Sequence, residues 1–178
     1  MDDTSTPKSW FARRVQKCYE KDKMKQSERF GEFVGIVALF ILTLFFVYHQ
    51  LLSTGFFTTS FGLLEVILFY ASIPIGIATG AVRIIKGSRN TARPLEVVSA
   101  VIWIATGFWL FLVFPFDFLH LGDVLPISLQ FLLSWIPDWL GRCIIFLTGL
   151  IGTVNAIYIP SLYISIRKEL AKHMLPTA

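Results

Sequence analysis

Four apolar runs, each close to the length needed to cross a bilayer, constrain this chain more than any other feature. Phe33 to Leu52 is apolar apart from Thr43 and the late pair His49 and Gln50. Val66 to Val82 is free of charge, and reaches from Gly62 to Ile85 if Glu65 and Arg83 are accommodated. Val97 to Phe116 and Cys143 to Ile166 hold no charged residue. About 20 residues rising 1.5 Å each cover a hydrocarbon core of roughly 30 Å. Such segments are expected to be helical, because lipid offers no hydrogen-bond partner to an open backbone group.

Composition agrees. Of 178 residues, 54% are hydrophobic and only 16% charged, against roughly 25% charged in an ordinary soluble domain. The expected fold class is therefore an all-α integral membrane protein, a four-helix transmembrane bundle. Its transmembrane domain covers residues 31–166, with spans at about 33–52, 62–85, 97–116 and 143–166. A basic segment (1–30) precedes it, a tail (167–178) follows, and a long outer connection (117–141) joins spans three and four. Some thirty residues rich in charge precede the first run, which reads as an uncleaved span rather than a signal peptide.

Fifteen of the sixteen Lys and Arg residues lie in the N-terminal segment, the loop between spans two and three, and the tail; Arg142 is the exception. By the positive-inside rule, both termini and that middle loop are expected on the cytoplasmic side, in the cell membrane. The net charge of +4 thereby has a topological cause, and nucleic acid is not an expected partner. Membrane lipid is expected, together with other membrane subunits or further copies of the chain. Cys18 and Cys143 fall on opposite sides of the membrane, so an intrachain disulfide is not expected.

Outside the spans, residues 8–30 alternate apolar and basic positions as a surface-lying amphipathic helix would, with Phe11, Val15, Cys18 and Tyr19 on one stripe. The outer connection is too apolar for a water-exposed loop. Its run from Leu125 to Ile136 lies between Pro126 and Pro137 and is too short to cross, while Trp135 and Trp139 suit the headgroup level. A helix in the outer interface, or a re-entrant segment, is expected there.

Within the spans, Ser72, Gly76 and Gly80 repeat at four-residue intervals, as do Thr148, Gly152 and Ala156. Small residues on one stripe let helix backbones approach closely. The two stripes are expected to form a tight contact, within the bundle or between copies, and Gly107 lies outside both. Pro74 and Pro160 each remove a backbone donor, and Asn155 near the centre of span four needs a polar partner or lines a path.

Ionisable residues gather toward the outer side: His49, Glu65, Asp117, His120, Asp123, Asp138 and Arg142. His49, Asp117 and His120 are the types that ligate a divalent metal, though polar groups collect at an interface for simpler reasons. Glu65, one turn inside span two, is expected to form an ion pair with Arg142, the one basic residue on that side. Glu65, Arg142 and Asn155 are the functional candidates.

No Gly-x-Ser-x-Gly, His-Glu-x-x-His or Cys-x-x-Cys occurs, so the commoner hydrolase, zinc-protease and thiol-redox readings lack their residues. No catalytic residue, metal or cofactor is assigned. The leading expectation is a non-catalytic subunit, assembly factor or scaffold. A small oligomeric transporter or channel is the first alternative, and a membrane enzyme acting on lipid or a metal-bound substrate the second.

Overall fold

The structure, a computed structural model, describes residues 22–174 together with Trp10, Arg13 and Cys18, with side chains as far as Lys168. The amphipathic helix expected over 8–30 lies largely outside the described residues. Four long helices carry the fold: α1 (Gln26–Leu52), α2 (Leu63–Lys86), α3 (Arg93–Val113) and α4 (Asp138–Met174). All four are long and apolar enough to cross a membrane. They extend past several of the apolar runs because helix propagation needs only backbone pairing and tolerates charge at either end. Pro74 and Pro160 lie inside α2 and α4, and neither ends its helix.

The helices pack in chain order. α1 lies on α2, α2 on α3 and α3 on α4, with no comparable contact closing α4 back onto α1 or α2. Short connections favour such neighbours, and the small-residue stripes follow suit. Gly76 and Gly80 face Leu39 and Ile36 of α1, whereas Gly152 faces Ala100 and Ile104 of α3. Within the chain the two stripes do not meet; each packs on its own neighbour. Gly107, outside both stripes, is also an interface residue. Any Cβ there would overlap the Gly149 backbone, with Thr148 Oγ1 at 3.0 Å. Gly107 and Gly149 mark a close approach of α3 to α4.

The two ends of the bundle differ in chemistry. One end holds residues 53–62 and 114–137 and is aromatic. Phe56 and Phe116 are buried at its centre, ringed by Phe46, Phe57, Phe61, Phe69, Phe114 and Phe118. Phe57 and Phe61 lie 4.2 Å apart, and Phe46 meets Phe69 edge-on at 5.0 Å. Backbone pairing sets these rings in place: Asp117 N donates to Phe56 O at 2.8 Å, and Thr58 N to Pro115 O at 3.1 Å. Helix α3 stops at Val113 because Phe114 turns left-handed (φ 41°). The connection that follows is not one helix. It contains two 3-10 turns, Phe118–His120 and Ile127–Leu132, and it exposes Leu119, Ile127, Phe131 and Trp135.

The opposite end is basic. There residues 22–24 run against the loop 87–90, with Met24 N donating to Gly87 O and Asp22 Oδ1 and Oδ2 accepting from Asn90 N and Ser88 Oγ. Cys18 packs beside Leu162 and Ile166 of α4.

This packing predicts the order of two substitutions. Gly76→Leu meets only the flexible end of Leu39 and should cost about 1–2 kcal/mol, the usual range for overpacking. Gly107→Leu must push the α3 and α4 backbones apart and should cost about 3 kcal/mol or more. Thermal melting of both variants in one detergent checks this; an equal loss would mean that α3 and α4 do not cross at Gly107.

Candidate functional site

A cavity of about 700 Å³ opens between α2 and α4 on one face of α3. Polar side chains are set into a largely apolar wall: Thr79, Ser99, Thr148 and Asn155 line it beside Gly76, Gly80, Trp103, Ile151 and Gly152. The threonine hydroxyls are turned to their own helices, Thr79 donating to Ile75 O and Thr148 to Ile145 O. Asn155 has no hydrogen-bond partner among the described residues and looks onto the open volume. The lining ends near Gly76, Trp103 and Thr148; beyond that level lie the phenylalanines.

Toward the basic end the cavity is bounded by a three-residue charge network. Arg83 of α2 donates from one guanidinium nitrogen to Glu32 of α1 at 2.7 Å, and from the other to Glu96 of α3 at 2.5 Å. All three side chains are only about a fifth to a quarter exposed. Arginine suits this task because its planar fork serves two carboxylates at once. The network joins three helices by charge at one level. A smaller recess of about 230 Å³ adjoins it, lined by Arg83, Arg89 and Arg93 with Glu32, Glu96 and Tyr158.

The residues singled out from sequence fall in three places. Asn155, Gly76, Gly80, Thr148 and Gly152 reach the cavity wall. Ser72 faces its own helix, with Phe69 O at 3.5 Å, and Ala156 lies one turn beyond Gly152. Glu65 and Arg142 are at the aromatic end, and they do not meet. Glu65 is 7% exposed. It accepts from Trp109 Nε1 at 2.8 Å with one oxygen and from Gly62 N at 3.0 Å with the other. Arg142 instead lies over the Phe114 ring, 4.3 Å from its centroid. The expected ion pair is replaced because two N–H donors satisfy the carboxylate where it stands, while a ring face holds the exposed guanidinium. Glu65 therefore caps α2 and ties it to α3.

His49, Asp117 and His120 also separate. His49 is buried, with Nδ1 2.6 Å from Thr54 Oγ1 and Nε2 3.1 Å from Leu121 O, so both ring nitrogens serve the loop structure. His120 lies between Asp123 (2.7 Å) and Asp117 (4.0 Å). No group of three His, Cys, Asp or Glu side chains among the described residues stands close enough to hold an ion. The His120 ring also covers Gly55, whose φ of +98° and lack of a side chain permit the contact. His120 thus joins the two connections of the aromatic end.

Glu32, Arg83, Glu96, Arg93 and Trp109 do not stand out in the sequence. Glu32 and Glu96 immediately precede apolar runs and Arg83 closes another, so each reads as an ordinary boundary charge. One signal is nonetheless present. Two acids that open spans one and three and a base that closes span two fall at one depth once the spans alternate direction.

No protein-family model matches this chain, and comparison with curated proteins and with solved structures finds no match.

The geometry of the aromatic end can be tested in two ways. Glu65→Ala and Trp109→Phe should be strongly non-additive in thermal melting, each removing the same hydrogen bond, whereas Glu65→Ala and Arg142→Gln should add. Coupling between Glu65 and Arg142 would restore the ion pair. The second test concerns pH. The hydrogen bond to Asp123, helped by Asp117, raises the His120 pKa above its usual value of about 6.5. A raised folded-state pKa gives stability that is complete below the unfolded value and lost as pH rises through the folded one. Melting temperature should therefore fall as pH climbs from the middle sixes upward, and His120→Gln should flatten that slope.

Proposed function

We propose that this chain is a multi-pass membrane protein with both termini on the cytoplasmic side, working as a non-catalytic subunit that binds a ligand in a one-sided cavity. The observation that carries this reading is the cavity bounded at one end by Arg83, Glu32 and Glu96, with Thr79, Ser99 and Asn155 on its otherwise apolar wall. Membrane insertion is supported by the four long apolar helices. It is also supported by the side chains they leave uncovered: Phe33, Phe40, Ile41 and Leu44 on α1, Leu112 on α3, and Ile151, Val154 and Ile157 on α4 are all exposed. Orientation is supported by the Lys and Arg distribution, since every Lys and Arg except Arg142 lies on or beyond the basic side of the spans. The cavity then opens toward the cytoplasm, with the phenylalanine cluster between it and the outer surface.

A transporter is the second reading, favoured by Asn155 alone: an unpartnered amide within a span is costly unless water or a passing solute meets it. In that case the phenylalanine cluster would have to open.

Single cysteines in a background without Cys18 and Cys143 test both readings in sealed cells and inverted vesicles. An impermeant thiol reagent should reach Ser60→Cys and Ser128→Cys from outside only, and Lys86→Cys and Asn155→Cys from the cytoplasmic side only. Labelling of Lys86→Cys from outside would overturn the orientation. Labelling of Asn155→Cys from both sides would make the protein a transporter, and labelling from neither would remove the cavity.

A further inference from the structure

Arg93 is a buried charge left without a partner among the described residues. Its side chain is only 7% exposed, yet it makes no hydrogen bond or ion pair among the described residues, and its Nε is buried without a partner. Arginine cannot shed its proton to escape this. Burying a guanidinium with nothing opposite costs several kcal/mol in general, which proteins tolerate where function needs it.

The carboxylates nearby do not relieve it. Glu96, one turn along the same helix, and Glu32 each turn an oxygen to Arg83, and Glu28 pairs with Arg89 at 2.9 Å. Arg93 faces the recess of about 230 Å³, a space of several waters at about 30 Å³ each. A further feature favours an anion there: the surrounding end is basic, with nine Lys and Arg against four Asp and Glu among residues 22–168.

We propose that the recess is a phosphate-binding site, with Arg93 as its buried anchor and Arg89 at its rim. The occupant carries a phosphate group, either as a lipid headgroup or as a soluble phosphate compound. Phosphate is favoured over a simple halide because the guanidinium fork presents paired N–H donors to two oxygens at once. Arg83 keeps its carboxylates and forms the floor of the site. This rests on the reading of the cavity as a binding site open to the cytoplasm, and it names the chemistry at that opening.

The test uses the full chain in a phosphate-free sugar detergent. Melting temperature is followed against inorganic phosphate, with chloride at matched ionic strength as reference, and separately against phosphatidic acid in mixed micelles. At least one of these probes should give a saturable rise of roughly 2–4 °C or more. Arg93→Gln should abolish the rise and Arg89→Gln weaken it several-fold. Arg142→Gln, at the opposite end, should leave it intact. A rise with phosphatidic acid alone assigns the site to lipid; a rise with phosphate alone assigns it to a soluble compound.

Without either probe, Arg93→Gln should melt no lower than the native chain, because it removes an unpaired charge. A structural arginine would show the reverse. Absence of any response, a response that chloride matches, or one that survives Arg93→Gln would overturn the proposal. If Arg93→Gln does not fold, an unchanged response in Arg89→Gln overturns it instead. None of these outcomes alters the labelling of Asn155→Cys, so the cavity can stand where the phosphate site falls.

Discussion

Arg83 holds the bundle at the place where apolar packing alone would leave it loose. α1 touches little besides α2, and its most apolar window contains no buried residue. A helix so weakly covered cannot be fixed by side-chain burial, and in the proposed membrane setting the hydrophobic effect gives no further pull between helices. The Glu32–Arg83–Glu96 network supplies direction instead. A guanidinium that must meet one carboxylate on each neighbouring helix fixes rotation and register together. The same need explains its position: in a low-dielectric setting, three charges are tolerable only as a set.

The opposite end reaches order by another route. Eight phenylalanines come from α1, α2, both connections and the turn after α3, and they interlock with Arg142 lying over the face of Phe114 at the edge. Ring pairs add about 0.5–1.5 kcal/mol each beyond area burial and prefer definite angles. Such a cluster is therefore specific as well as apolar. Polar contacts are kept to its margin, where Glu65, His49 and His120 each satisfy a loop or a helix end. Glu65, His49 and His120, which looked chemical in the sequence, each tie a loop or a helix end in place.

The long helices were legible because their signal is cumulative: some 20 apolar residues in a row admit few other structures. Side-chain partnership was less legible, and the failures share a cause. The Glu65–Arg142 pairing followed from one-dimensional scarcity, a lone acid facing a lone base, whereas the structure offered Glu65 two neutral donors nearer by. The small-residue stripes were visible, but a stripe does not say which helix it faces. Gly107 carried no stripe of its own, and its partner Gly149 falls one residue off the stripe of span four, so only the crossing of α3 and α4 brings them together. Arg83 and Arg93 were hidden by a sound rule. Basic residues at span ends are expected from topology, and nothing in the linear sequence separates a charge that only sets orientation from one that is also buried.

That double use bears on how the cavity arises. Among the described residues α4 packs mainly on α3, through backbones that glycine allows to meet at Gly107 and Gly149 and again where Gly152 meets Ala100. α1 and α2 are held to α3 by Arg83 and by the phenylalanines. No comparable contact among those residues draws α4 onto α2, and Thr79, Ser99 and Asn155 between them are too short to fill the gap. The gap is therefore a consequence of where the close contacts were placed, not a packing defect left in an otherwise closed bundle. A chain selected only to cross a membrane would fill that space with leucine at small cost. Small polar side chains along the wall, and an arginine without a partner among the described residues at the open end, are the features that support the proposed occupant.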